Sequence, residues 1–398
     1  MSDTSSSRRR AWASIDLGAL GHNWNVARSI CPNQSFLPVI KSNGYGHGLE
    51  AIAEHLMTDT KGLEGVAVAA MSEAERLRDC GVTKPIILLP GFINETELHD
   101  CIRLRIEPVV HSKYQVDMLL AVGSGVNSAS FNISRFWLKA NTGMNRLGMN
   151  SLQWLDCYDK LVTTFPNTEV IAMSHLACAD DVTSNSTPAQ IQRLEMVTSA
   201  AETRNPSRQP LRRTLAASGG ILAWPSAHCD IVRPGIMLYG SSPFAHRSAE
   251  QCGLRPVMTL HSRVIAINCV QPGDSVGYGE AFFVADRSMR IGVVSIGYGD
   301  GYPRQAPGGT PLLVASSSST AGGAEMMRRV QLAGRVSMDM ITIDLTGMED
   351  EVEVGADVVL WGQGLPAEEI ASLCGTISYE LFCQVTPRVP RITDTGGA

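Results

Sequence analysis

The strongest constraint on the fold is an alternation. Through the first 240 residues, short β-rich runs are separated by helix-length segments such as "SEAERLRDCG". The runs are "FLPVI" (36–40), "VAVAA" (66–70), "IILL" (86–89), "EPVV" (107–110), "FWLKA" (136–140), "EVIAM" (169–173), "TLAA" (214–217) and "DIVR" (230–233). Strands separated in this way pair in parallel and are joined by crossover helices. Eight such units predict a (β/α)8 TIM barrel in an α/β fold.

From about residue 251 the pattern changes. "TLHSRVIAINCV", "IGVVSIGYG", "RVQLAGRV", "MITIDL" and "DVVLWG" follow one another closely, joined by Gly, Pro and Asp turns with little helix between. This predicts a smaller, mostly β C-terminal domain. The expected organisation is a polar tail at 1–10, a barrel over 11–250 and a β domain over 251–398. "ASSSSTAGGAE" (315–325) reads as a low-complexity loop between strands.

Composition narrows the functional classes. A formal net charge of −6 gives no general attraction to nucleic acid or to anionic membranes. The ten cysteines form no CxxC pair and no zinc-type spacing with histidine, so neither a disulfide framework nor a metal site is expected. The N-terminal basic cluster meets Asp16 before any apolar stretch forms, and no run of about 18 apolar residues occurs, so the expected location is cytoplasmic.

In a barrel of this kind, reactive groups project from the C-terminal ends of the strands. Lys41 sits at such an end in "FLPVIKSNGYGHG", directly before a turn containing Gly44, Gly46 and Gly48. A partly desolvated lysine can lose its proton near neutrality and condense with a carbonyl, the chemistry on which pyridoxal phosphate enzymes depend. A glycine-lined turn lets a phosphate approach backbone N–H groups. By spacing alone the plainer reading, a solvated lysine beside an ordinary turn, has the better of it.

Further segments change that balance. "VIKSNGYGHG" resembles the pyridoxal-phosphate lysine motif of the alanine racemase family. The resemblance continues in order through "AWASIDLGALGHN" (11–23), "LKANTGMNRLG" (138–148), "SHLACAD" (174–180), "DIVRPGIMLYG" (230–240), "VGYGEAF" (276–282), "GYGDGYPR" (297–304), "GRVSMDM" (334–340) and "GTISYE…RVPR" (375–391). It therefore covers nearly the whole chain. It implies a fold type III enzyme with an N-terminal barrel, a C-terminal β domain and pyridoxal 5'-phosphate as cofactor.

Carried over by position, the resemblance implies that Lys41 holds the cofactor covalently. Tyr45, Ser218, Gly235, Ile236 and Tyr379 would surround its phosphate. Arg233 would face the pyridine nitrogen, and a guanidinium, being always protonated, leaves no proton on that nitrogen and keeps the ring a weaker electron sink.

Racemisation removes a proton from one face of the α-carbon and returns one to the other, most simply with two bases. Tyr278 matches the second base, with His175 and Arg233 supporting it, and family architecture implies that it reaches the lysine of another subunit in a head-to-tail homodimer. Arg146 would bind the substrate carboxylate, bidentate pairing being suited to guanidinium, and Lys139 would steady that arginine. Tyr298 and Met338, with Tyr379, would narrow the pocket to a small side chain. By residue type alone, Tyr278 also suits a hairpin, His175 a strand end and Met338 a core.

Departures from the family pattern fall near these positions: Gly44, Asn141, Asn145, Ala217, Gly277 and Ser337. They leave open a racemase of serine or of broader amino-acid range. A non-catalytic cofactor-binding protein lacks a β domain and is the weaker alternative. A decarboxylase of the same fold type lacks its acidic or cysteine motif here. The expected reaction is interconversion of L- and D-alanine.

Overall fold

The computed structural model describes residues 10–59, 61–123, 131–317 and 325–394. Its first strand, β1 (Ala11–Asp16), leads into a helix over Leu17–Ile30 whose first turn is capped by the Asp16 carboxylate, which accepts from Ala19 N–H at 2.8 Å. The next eight strands are β2 (Ser35–Phe36), β3 (Val66–Val68), β4 (Ile86–Leu88), β5 (Ile106–Val110), β6 (Arg135–Lys139), β7 (Glu169–Met173), β8 (Arg213–Ala217) and β9 (Ile231–Arg233). Each pairs in parallel with its neighbour, and β9 returns to β2. Parallel bridges at Phe36–Leu63 and Val39–Ala67 close the ring. The strands are nearly continuous apolar runs because both faces are covered, by barrel interior and by helices.

The end of the barrel where the strands begin is filled by charge. Glu107, 3% exposed, accepts from Arg135 Nε at 2.9 Å and from Trp137 Nε1 at 2.9 Å, while Glu64 pairs with Arg135 and Arg212. Ions this deep persist only when every lone pair finds a donor. The opening therefore lies at the other end, where the strands finish.

The second sheet contains β10 (Met258–Val270), β13 (Met289–Val294), β14 (Pro311–Ser317), β15 (Glu325–Leu332), β16 (Ile341–Asp344), β17 (Asp357–Trp361) and β18 (Arg391–Asp394), together with β1; a separate two-stranded ribbon is formed by β11 (Ser275–Val276) and β12 (Phe282–Phe283). β1 lies within the stretch assigned to the barrel from sequence, yet it runs antiparallel to β10 and parallel to β18. Alternating burial along β10, inward Met258, Leu260, Ser262 and Val264, sets that register. One hydrophobic core runs from the barrel through Met258 and Leu260 into Trp361, Leu381 and Val389.

Of the loop expected at 315–325, residues 318–324 lie outside the described residues. Ala315–Ser317 complete β14 and Glu325 begins β15, paired from Pro311–Gln331 to Ser317–Glu325, so low-complexity composition masked two strand ends. Among the described residues no helix is long and apolar enough to cross a membrane.

Candidate active site

Lys41 follows the closing bridge at Val39, at the mouth of the barrel. The backbone after it is left-handed: Ser42, Asn43, Gly44 and Tyr45 have φ of 55°, 56°, 62° and 51°. For the three that carry a Cβ this costs about 1–2 kcal/mol each, and such strain persists only where surrounding contacts hold it. Gly44 N–H bonds to the Ile40 carbonyl and Gly46 N–H to the Ser42 carbonyl, both at 2.9 Å. Gly46 cannot be replaced without moving backbone, because a Cβ there would stand 2.0 Å from the Phe382 carbonyl oxygen.

The turn opens into a cavity of about 1110 Å³ at the C-terminal ends of the strands. Its lining brings together Lys41, Tyr45, Lys139, Arg146, His175, Ser218, Arg233, Gly235, Ile236 and Tyr379. Two walls have different chemistry. One carries four cations, Lys41, Lys139, Arg146 and Arg233, and the other carries hydroxyls and backbone amides.

On the hydroxyl wall, Ser218 Oγ accepts from Gly235 N–H at 3.0 Å and from Met237 N–H at 3.3 Å. A Cβ on Gly235 would lie 2.8 Å from the Tyr45 hydroxyl, so only glycine leaves that hydroxyl its place. The Tyr45 ring packs on Tyr239 and Tyr379 with centroids at 4.7 and 5.9 Å. Burial raises the pKa of Tyr45 and of Tyr379 well above the ordinary phenol value, so both remain O–H donors. Hydroxyl donors beside backbone amides suit a phosphate, although the Asp180 and Glu380 carboxylates also line the cavity.

On the cationic wall Arg233 is wholly buried and held by four acceptors. It donates to Thr214 Oγ1, to the Ser174 carbonyl at 2.7 Å, to the Leu215 carbonyl at 3.1 Å and to His175 Nδ1 at 3.4 Å. Burial lowers its pKa only to about 10, so it stays protonated. His175 lies beside it with a pKa pushed down to about 3, by burial first and then by Arg233 and Lys139. It is therefore a neutral ring that accepts at Nδ1.

Burial, then Arg233, Arg146 and Lys41, lower Lys139 to about 8. Lys41 is lowered by burial and then by Arg146, against the opposing influence of Cys383 and Glu73. Arg146 is presented by a turn that Asn141 ties: its Oδ1 accepts from Gly143 and Asn145 N–H at 3.1 Å, and its Nδ2 donates to Asn145 Oδ1 at 2.9 Å. Asn145 is itself left-handed, at φ 57°. The two asparagines that depart from the family pattern thus support each other.

Tyr278, Tyr298 and Met338 do not line this cavity. They are 73%, 40% and 52% exposed on the β domain. Their loops adjoin: Gly279 approaches Arg335, and Gly299 N–H bonds to the Met338 carbonyl at 2.8 Å. Met340 and Phe283, 46% and 64% exposed, lie nearby in sequence. Ser337, another departure, donates its hydroxyl to the Met340 carbonyl at 2.6 Å.

Sequence reasoning missed Thr214 and Ser174, which hold Arg233, and also Glu73, His47 and Cys383. Thr214 was detectable as a polar residue at an inward position of a barrel strand. His47 is fully buried, its Nδ1 donating to the Tyr45 carbonyl at 2.8 Å and to the Gly44 carbonyl at 3.1 Å. Its pKa is pushed down to about 4 by burial, with those two bonds opposing.

This has a consequence for acid stability. A histidine with a depressed folded pKa contributes stability that is present above about pH 6.5 and is lost as pH falls. For His47 the loss extends down to about pH 4, and for His175 to about pH 3. Each is worth on the order of 3–5 kcal/mol once fully expressed. The thermal midpoint is expected to fall steadily between pH 6.5 and 4, and a flat midpoint over that window would contradict this account.

Comparison with known proteins points to one family over both domains. Residues 15–243 match the family model described as alanine racemase, N-terminal domain, and residues 257–393 match alanine racemase, C-terminal domain. The chain is 41% identical over 391 residues to an alanine racemase of Vibrio vulnificus, covering 98% of this chain and 96% of that one. It is 42% identical over 382 residues to an alanine racemase of Nitrosospira multiformis, covering 96% and 98%. Among solved structures, the biosynthetic alanine racemase of Pseudomonas aeruginosa superposes with a TM-score of 0.83 at 38% identity, covering 97% and 99% of the two chains. The Bartonella henselae alanine racemase with covalently bound pyridoxal phosphate gives 0.81 at 26% identity, covering 97% and 100%.

Proposed function

Since this chain belongs to the alanine racemase family and is a racemase of alanine, we propose that Lys41, and Tyr278 from a second copy, are its two bases around pyridoxal 5'-phosphate. The family is pyridoxal-phosphate-dependent. The observation that carries the reading is that one cavity gathers Lys41 and three further cations together with a set of hydroxyl and amide donors.

Ser218, Tyr45, Tyr379 and the amides of Gly235 and Ile236 would hold the phosphate, and Arg233 the ring nitrogen. When bound, the cofactor supplies an electron sink that makes the α-proton of the substrate acidic. Arg146 binds and orients the substrate carboxylate, with Lys139 beside it. Lys41, lowered by burial and by Arg146, presents Nζ as the acceptor for the α-proton on one face.

The return of a proton on the other face falls to the Tyr278 hydroxyl of a second copy. Supporting this is the exposure of Tyr278, Tyr298 and Met338 together on adjoining loops, a rim that a homodimer would cover and set against the partner's cavity. The narrow guest expected of that pocket is a methyl group.

A chiral assay with alanine and serine, with and without added pyridoxal phosphate, tests the assignment. Alanine is expected to be preferred by at least about tenfold, as a small pocket discriminates one added group, and activity is expected to depend on the cofactor. Equal turnover of serine, or full activity in protein freed of pyridoxal phosphate, would overturn it. A narrower test concerns the phosphate cradle. Gly235→Ala forces the Tyr45 hydroxyl aside, so affinity for pyridoxal phosphate, read by absorbance titration, is expected to fall about tenfold, the worth of one good hydrogen bond to a charged group.

A further inference from the structure

The left-handed turn after Lys41 leaves its Asn43 N–H pointing out of the turn, as the first amides of any helical turn do. Glu73 meets it. Glu73 Oε1 accepts from Asn43 N–H at 2.9 Å, and Oε2 accepts from Ala69 N–H at 3.1 Å and from Ala70 N–H at 3.2 Å. The side chain is 8% exposed. A buried carboxylate is costly unless its oxygens find donors, and here three backbone amides supply them.

Glu73 lies in the first turn of the helix Met71–Asp79. A glutamate there ordinarily reaches back to its own helix start and otherwise faces water. Here one oxygen does so, while the other crosses to a turn 30 residues earlier. The carbonyls of the same turn are held by other side chains. His47 Nδ1 donates to Gly44 and Tyr45, and Arg391 Nε donates to Gly46 at 3.0 Å. Arg391 spends its remaining donors on the carbonyls of Val385, Thr386 and Val389 in the second domain. The Asn43 amide is thus tied to the helix after β3, and the Gly46 carbonyl to the β domain.

Resting on the reading of Lys41 as the lysine that carries the cofactor, we propose that Glu73 is a positioning residue for Lys41, fixing the left-handed turn to the end of β3 so that the lysine side chain is delivered to the barrel mouth. Glu73 does not line the cavity. It acts through the backbone of Asn43, two residues beyond the lysine.

Glu73→Gln replaces one accepting oxygen with an N–H₂ group facing backbone N–H, and Glu73→Asp keeps both oxygens but shortens the reach. Both are expected to leave a folded protein with a lowered thermal midpoint. Two readouts separate positioning from mere stability. Capture of added pyridoxal phosphate by cofactor-free protein, followed by growth of the bound-cofactor absorbance, is expected to slow at least about tenfold, since small misplacements of reacting groups cost this much or more. With Lys41 taken as the base that acts on D-alanine and Tyr278 on L-alanine, the α-deuterium isotope effect in the cofactor-loaded enzyme is expected to rise with D-alanine and not with L-alanine.

Parental capture rates, or isotope effects that rise equally for both enantiomers, would overturn the proposal. So would failure of both variants to fold, since the role would then be the fold's own. Lys41→Ala separates the underlying reading: if it still retains cofactor covalently after borohydride reduction, the assignment of Lys41 fails. If Lys41→Ala loses the cofactor while Glu73→Gln behaves as the parent, only the role of Glu73 falls.

Discussion

Lys41→Ala is expected to yield a folded protein that no longer holds pyridoxal phosphate covalently and whose racemase activity falls by at least about four orders of magnitude. The size follows from losing both a nucleophile and a general base, the latter alone worth 10²–10⁴-fold. The fold should survive, because the Lys41 side chain lines a cavity rather than the core, and the turn behind it is held by backbone bonds. Absorbance after borohydride reduction reports the covalent link, a chiral assay reports turnover, and a thermal melt reports the fold. Retained covalent cofactor in the variant would mean that Lys139, which lines the same cavity, or another amine, is the attachment point.

The second large effect is expected from Tyr278→Phe, which keeps the ring and removes the hydroxyl. Loss of one of two bases predicts a fall of about a thousandfold in racemisation, with proton exchange from L-alanine lost more than exchange from D-alanine. Equal loss of deuterium washout from both enantiomers would refute that sidedness. A mixing experiment tests whether the tyrosine acts across copies. If each site takes Lys41 from one copy and Tyr278 from the other, dimers re-formed from Lys41→Ala and Tyr278→Phe proteins contain one site with neither defect. Random re-pairing then restores about a quarter of parental activity. A tyrosine acting within its own chain would restore none, since every site would carry one defect.

Much of the barrel was legible because parallel strands buried on both faces are apolar runs of fixed length. "EVIAM" corresponds residue for residue to β7. Of "FLPVI" only Phe36 falls in a strand, the two-residue β2, yet hydrogen bonds continue on either side of Pro38, from Leu37 N–H to the Val232 carbonyl and from Val39 N–H to the Pro234 carbonyl, both at 2.8 Å. What periodicity cannot reveal is which strand pairs with which. β1 looks like the start of a barrel, and only its partners near residues 260 and 392 place it in the other sheet.

The candidate site divides in the same way. Lys41, Arg146, Arg233 and the phenols were nameable because their chemistry is rare at strand ends and their order resembles a family. Glu73 and His47 act on backbone atoms of a turn whose left-handed conformation nothing in the local residue string announces. Asn141 and Asn145 were legible only as departures from the family pattern, and their mutual hydrogen bonds now give them a task in presenting Arg146.

The placement of β1 also bears on how the polypeptide acquires its shape. A ribosome releases the first strand about 240 residues before β10, and about 370 before β18. In the interval that segment is an open edge with a ready template for the wrong neighbour. Closing so wide a loop is slow, though entropy rises only logarithmically with its length. The two termini of the described chain are thereby stitched side by side, so the enzyme's halves are not beads on a string: a shear that frees the last strand strips the first of one of its two neighbours.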